Sequence, residues 1–212
     1  MSHDASPPLE LLHAATDRPM IVVVGERRFI AIDGVGGPRG ADHRLASETL
    51  RTAGRHLRHR LATERGVSLR PGILETAWWV HPEPLPDQLP DAFTDRSRWH
   101  WQQMIEVPDA ATEADVDAAI EQTQRDAGRS KPLLHQVSMT EGRAAQMLHL
   151  GGSASAASTL RALFDLLTSQ GLHPHGHIHE LRIAEEGDVP ADRARSILRV
   201  PIEDDLGRRP EG

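Results

Sequence analysis

The stretch "GLHPHGHIHELRIAEEG" sets His173, His175, His177 and His179 at alternate positions and follows them with Glu180. In an extended chain, residues two apart share a face, and imidazoles with a carboxylate are zinc ligands. The same alternation turns Glu180 away from His177 and His179. Catalytic zinc needs three convergent ligands. The run is therefore read as a solvated loop entering a strand, with no metal and no cofactor, and Glu180 is left as the working group.

A second carboxylate, Glu75, lies in "GILETAWWVHP", just before Trp78 and Trp79, and "WHWQQMIEVP" adds Trp99 and Trp101. These are all four tryptophans of a chain with three Phe and no Tyr. Carboxylates inside strands are unfavourable unless exposed, paired or functional. An aromatic wall with a few polar groups is the usual form of a small-molecule site.

Periodicity supplies the elements that position these groups. "PMIVVVGERRFIAIDGVGG" is β-branched and ends in glycines, a strand signal. Leu45, Leu50, Ala53, Leu57 and Leu61 make an amphipathic helix from Asp42 to about Arg65, whose Arg- and His-rich face is taken as solvated. Strands follow in "GILETAWWVHP" and "WHWQQMIEVP", separated by the Pro-rich loop "PEPLPDQLPDAF". Thr112 and Asp115 open a helix to about Ala127 in the manner of a capping box. "LLHQVSMTEG" and "RAAQMLHLGG" suggest a hairpin around Glu141-Gly142. A helix from about Ser155 to Gln170 is capped by Gly171, and "HIHELRIA" and "SILRVPIE" are the last strands.

The halves repeat: strand, glycine turn, helix, strand, strand. One such unit cannot bury its own sheet face. The expected fold is α+β, two pseudo-two-fold-related units forming a sheet with helices on one side and a central ligand groove. Residues 1–19 form a loose lead and 20–203 a single domain. Within it, repeat one spans about 26–108, a connecting helix about 112–127 and repeat two about 133–203; a polar tail covers 204–212. Aligning the units sets Glu75 against Glu180 as a pair across the groove. Alternation places Leu181 and Ile183 opposite Ile178, Glu180 and Arg182, and turns Met147 and His149 away from Leu148 and Leu150. Partial burial then raises the pKa of Glu180 toward that of a general base.

The composition excludes several roles. A net charge of −7 argues against non-specific nucleic-acid binding. Without cysteine there is no disulfide or thiolate chemistry. No apolar run approaches a membrane span, and "MSHDASPPLELLHAA" lacks the features of a signal peptide. A cytoplasmic protein is expected; a homodimer is left open.

Taken together, "ILETAWW", "WHWQQMIEVPD", "EGRAAQMLHLGG" and "IHELRI" followed by "ILRVPIE" resemble the GyrI-like small-molecule-binding family. The nearer resemblance is to its stand-alone bacterial branch, over about residues 26–203. Some family members are drug-sensing domains of transcription activators. Others of this branch are cyclopropanoid cyclopropyl hydrolases, which add water to the cyclopropane of DNA-alkylating antibiotics such as yatakemycin and the duocarmycins. The resemblance implies Glu180 and Glu75 as catalytic carboxylates. It implies Trp78, Trp79, Trp99, Trp101 and His149 as substrate-binding residues, and the face assignment adds Met147 and Arg182. Where the family often has Glu-Ile-Tyr, this chain has Glu180-Leu181-Arg182, so Arg182 or His149 stands as the proton donor. Thr76 also replaces a glycine often found in the family after the first glutamate. The lead is too short for a helix-turn-helix, which leaves an enzyme acting on an aromatic DNA-alkylating drug, or a protein that sequesters aromatic or cationic drugs.

Overall fold

The computed structural model describes residues 15–127, 132–184 and 189–203. The first fourteen residues of the expected lead and the tail from 204 lie outside them. In chain order the elements are β1 (Met20–Val35), α1 (Ala41–Arg65), β2 (Leu74–Trp79), a single-turn α2 (Leu89–Ala92), β3 (His100–Glu106), α3 (Glu113–Ala127), β4 (His135–Leu150), α4 (Ala156–Ser169), β5 (Ile178–Ala184) and β6 (Arg195–Pro201). The six strands are all antiparallel and close into a barrel in the order β1-β3-β2-β5-β6-β4. That order reads the same when the two units are exchanged, so the fold is the expected pair of strand–helix–strand–strand units about a pseudo-two-fold axis between β2 and β5.

The helices pack on the outside of the barrel. α1 lies over β1 and β3, α4 over β4 and β6, and α3 packs on α1. The stripe His43, Ala46, Ser47, Leu50, Ala53, Gly54, Leu57 and Leu61 on α1 is buried and meets Ile30, Ile32, Leu74 and Ile105 in the main core. Thr112 and Asp115 cap α3 reciprocally, with Thr112 N–H donating to Asp115 Oδ2 at 2.9 Å and Asp115 N–H to Thr112 Oγ1 at 3.3 Å.

Two local expectations are corrected. Glu141-Gly142 is no hairpin: residues 135–150 form one strand, paired with β1 in a single register from Met20↔Gln146 to Ala31↔His135. Gly142 does take a positive φ of 70°, but the pairing with β1 continues on both sides of it, so the strand is kinked rather than turned back. The Pro-rich segment carries the helical turn α2, which Leu89 and Phe93 anchor in the core.

The register also corrects the alignment of the two units. Gly36 N–H donates to Trp99 C=O at 2.8 Å, and Gly151 N–H donates to Ala194 C=O at 2.9 Å. Both glycines have positive φ, 111° and 117°, so they are the same turn in each unit. Counting along the ladders from these anchors matches Thr76 with Glu180 and Glu75 with His179. The sequence alignment was off by one residue, and in a strand one residue changes the face.

Candidate functional site

Directly opposed residues of an antiparallel ladder point to the same side. Thr76 opposes Glu180 and Gln103, while Glu75 opposes Leu181 and Met104. Glu180 thus lies on the helix-bearing face and Glu75 inside the barrel. They do not share a groove.

On the helix-bearing face, Gly34, Trp101, Trp78 and Ile178 form one cross-strand row. The next row holds Ile32, Gln103, Thr76, Glu180, Leu198 and Met147. Glu180 is 7% exposed. Its Oε2 accepts from Trp78 Nε1 at 3.1 Å and from Arg96 at 2.8 Å. Arg96, in the segment between α2 and β3, also lies over the rings of Trp78 (4.3 Å) and Phe93 (4.1 Å). Burial opposes the charge of Glu180. Arg96, Arg182 and the Trp78 bond outweigh it and hold the carboxyl below its ordinary range. The expected rise is reversed, because burial arrives with a guanidinium attached.

His43, in the first turn of α1, stacks on Trp78 with centroids 5.3 Å apart and meets Trp101 edge-on at 5.2 Å. Burial, together with Arg182 and Arg96, lowers its pKa to about 2, so the imidazole is neutral. The Arg- and His-rich face expected to be solvated does not include it: His43 lies on the buried stripe of α1. Its place three and four residues before Ala46 and Ser47, on the buried stripe, was the signal that could have found it. Arg96 had no such signal. Arg182 donates to Ser47 Oγ at 3.1 Å and to Gln103 Oε1 at 2.9 Å.

Beside this cluster a cavity of about 250 Å³ opens where β2 and β5 meet, lined by Trp78, Trp79, His81, Leu89, Trp99 and His177 among others. Trp79 lies on the opposite face from Trp78 and stacks against His177 at 4.4 Å and His100 at 5.8 Å. Three of the four expected tryptophans therefore wall one cavity, with Trp78 as its partition from Glu180. Trp101 is buried behind that partition.

The remaining expected residues are elsewhere. His149 is buried near the end of β4, with Nδ1 2.9 Å from Thr159 Oγ1 on α4 and Nε2 3.2 Å from Gly152 C=O, so it braces the turn that follows the strand and lies away from the tryptophan cavity. Met147 shares the face of Glu180 but sits two strands away, packed on the main core.

Of the four alternating histidines, His173, His175 and His177 are exposed and His179 is buried inside the barrel. His179 Nδ1 lies 2.6 Å from Glu75 Oε1, and Arg27 donates to Glu75 Oε2 at 2.7 Å. Arg27 and Arg199 also bond Glu141 Oε1, at 3.3 and 2.8 Å. Burial opposes every charge here, but Arg27 and His179 lower the pKa of Glu75, while Glu141 and Glu75 raise that of His179. Glu75, Glu141 and His179 offer ligand atoms within 4.8 Å of one another, the spacing a metal would need. Two guanidiniums already neutralise these carboxylates, so the donor set fits an internal ion-pair network better than a cation site.

No family model matches the chain, and no curated protein does. Solved structures do. An uncharacterised conserved protein from Listeria innocua superposes with a TM-score of 0.80 at 21% identity, covering 92% of this chain and 97% of that one. A hydrolase from Listeria innocua gives 0.77 at 22% identity, covering 92% and 96%. The C-terminal domain of EcmrR gives 0.50 at 9% identity, covering 88% and 98%. The fold is shared with these proteins. Among the described residues no helix is long and apolar enough to cross a membrane.

Proposed function

We propose that the chain is a small-molecule hydrolase that adds water to the cyclopropane of a flat, DNA-alkylating antibiotic of the yatakemycin and duocarmycin type, and so detoxifies it. The observation that carries this reading is the cavity walled by Trp78, Trp79 and Trp99, with the Glu180 carboxylate fixed behind Trp78 by Arg96. The resemblance in the sequence points the same way, and a Listeria innocua protein that shares the fold is a hydrolase.

The planar drug stacks among the indoles, and Trp78, which stands between the cavity and Glu180, turns aside to bring the cyclopropane methylene to the carboxylate. Glu180 takes the proton of a water that attacks the methylene. General-base help of this kind contributes ~10²–10⁴-fold, and release of ring strain drives the step. Because Glu180 is already neutralised by Arg96, the pocket favours an uncharged aromatic ligand over a cation.

One observation favours the alternative, a protein that only sequesters the drug: a carboxylate held below its ordinary pKa is a weaker base. The two readings part in one experiment. A duocarmycin is incubated with a hundredth-equivalent of protein and the products are weighed by mass spectrometry. The hydrolase reading expects complete conversion to a product heavier by one water. Intact drug, with protection only at stoichiometric protein, would replace it with sequestration.

A further inference from the structure

Both faces of the Trp79 indole are covered by imidazoles. β2 runs between β3 and β5. His100 therefore meets Trp79 from one side, with centroids 5.8 Å apart and planes 15° apart, and His177 from the other, at 4.4 Å and 14°. The two covers are held differently. His100 belongs to β3 and opposes Trp79 in the ladder. The ladder between β2 and β5 stops at Trp78↔Ile178, one residue short of His177, and His177 is exposed. Gly176 just before it has a φ of 76°, where glycine is unstrained, and a Cβ there would meet nothing within 4 Å. One imidazole is thus built into the sheet, while the other rests on the indole from a segment with room to move. Trp79 and His177 both line the cavity. No charge fixes the resting ring. Burial, then His179 and His81, lower the pKa of His177, so the cover is a neutral imidazole without the cation–π attraction of an imidazolium.

We infer that the face of Trp79 under His177 is the stacking subsite of the cavity, and that an uncharged planar ligand of two or more fused rings occupies it by displacing the imidazole. The subsite rests on the reading of this cavity as the ligand site. His177 marks the position that a flat ring takes there, parallel to the indole and open to the cavity. Stacked aromatic contacts change an affinity by about two- to tenfold. The resting cover weakens every ligand that stacks on this face by one common factor, the cost of uncovering it. A fused ring system recovers that factor because it covers more of the indole than a five-membered ring does. A ring the size of imidazole exchanges like for like, and a puckered saturated ring cannot lie parallel to the indole. His177 therefore selects for extended flat aromatics.

The test is equilibrium dialysis of 2-naphthol, a flat bicycle that is uncharged at neutral pH, against the wild-type protein and its variants. His177→Ala, at an exposed position, uncovers the indole and should bind naphthol about threefold tighter or more. His177→Trp, a larger cover, should bind it more weakly than wild type. In a Trp79→Leu background, where there is no indole to uncover, His177→Ala should restore nothing; the two His177 variants decide alone should Trp79→Leu not fold. Binding by His177→Ala equal to or weaker than wild type, the same gain in both backgrounds, or no naphthol binding by any variant would overturn the subsite. Naphthol has no cyclopropane, so this inference and the ring-opening reading fail separately. Tighter binding by His177→Ala without drug hydrolysis keeps the subsite and sinks the ring opening; hydrolysis without that gain does the reverse.

Discussion

Gly34 is the residue that lets Trp101 lie across β1, and replacing it tests how tightly the site is built. A Cβ at Gly34 would stand 2.2 Å from Trp101 Cζ2 and 2.3 Å from Cη2, where carbon atoms in contact sit about 3.5–4.0 Å apart. The indole would have to move by roughly an ångström or more. It has nowhere to go: it is 1% exposed, with the edge of His43 against it and Trp78 beside it in the same row. The φ of Gly34 is not positive, so the cost of Gly34→Ala is steric alone. Overpacking costs ~1–3 kcal/mol, and the stiffer unfolded chain returns only ~0.4–1 kcal/mol. A net loss of about 1–2 kcal/mol lowers Tm by roughly 2–8 °C in a chain of this size. The assay is thermal melting of four proteins: wild type, Gly34→Ala, Trp101→Val and the double variant. In the Trp101→Val background the alanine should be neutral or stabilising. A Gly34→Ala protein as stable as wild type, or an equal penalty in both backgrounds, would refute the steric account.

Acid stability should report the neutral imidazole of His43. Its pKa of about 2 in the fold lies below the ordinary value near 6.5, so unfolding takes up a proton. Its contribution is fully present above that value and is lost as pH falls, by up to ~1.4 kcal/mol per unit. Glu106, pushed up to about 7 by burial, has the opposite sign over part of that range. The comparison must therefore be wild type against His43→Phe, whose stability difference should change by about 1.2 kcal/mol between pH 6 and 5; a constant difference would mean the folded imidazole is protonated. Glu75→Gln removes the nearest carboxylate of both Arg27 and His179 inside the barrel and leaves them Glu141; it should cost up to ~3–5 kcal/mol while folded protein still binds drug. Full stability with lost drug binding would return Glu75 to the ligand site. His149→Ala should destabilise by ~1–3 kcal/mol, from the buried Thr159 hydroxyl it strands, and leave drug-induced tryptophan quenching unchanged. A weakened quench would put His149 in the pocket.

The fold was legible because each unit repeats its hydrophobic pattern: the α1 stripe, the capping box at Thr112 and the glycine turns at Gly36 and Gly151 are all local signals. The tryptophan cavity was partly legible, since clustering brought Trp78, Trp79 and Trp99 to notice. What failed was registration between distant strands. Matching Glu75 to Glu180 by residue type ignored the ladders, and one residue of slip exchanged barrel interior for helix-bearing face. His149 looked like a pocket residue because the turn that binds it, with Thr159 ten residues on, is invisible to alternation. Arg96 sits in an irregular segment where no periodicity exists, yet it sets the charge state of Glu180. His43 was within reach, had the α1 stripe been extended one turn toward its N-terminus.

The central claim is that Glu180 activates water at the cyclopropane. Its most direct test is the hydrolysis rate of a duocarmycin under multiple turnover, for wild type and Glu180→Gln side by side. Glutamine keeps an oxygen for Trp78 and Arg96 but loses the base. The account predicts many product molecules per wild-type protein, and a Glu180→Gln protein that still binds the drug with quenched tryptophan fluorescence yet turns over ~10²-fold more slowly or worse. Equal rates for the two proteins, or no turnover by wild type, would contradict it.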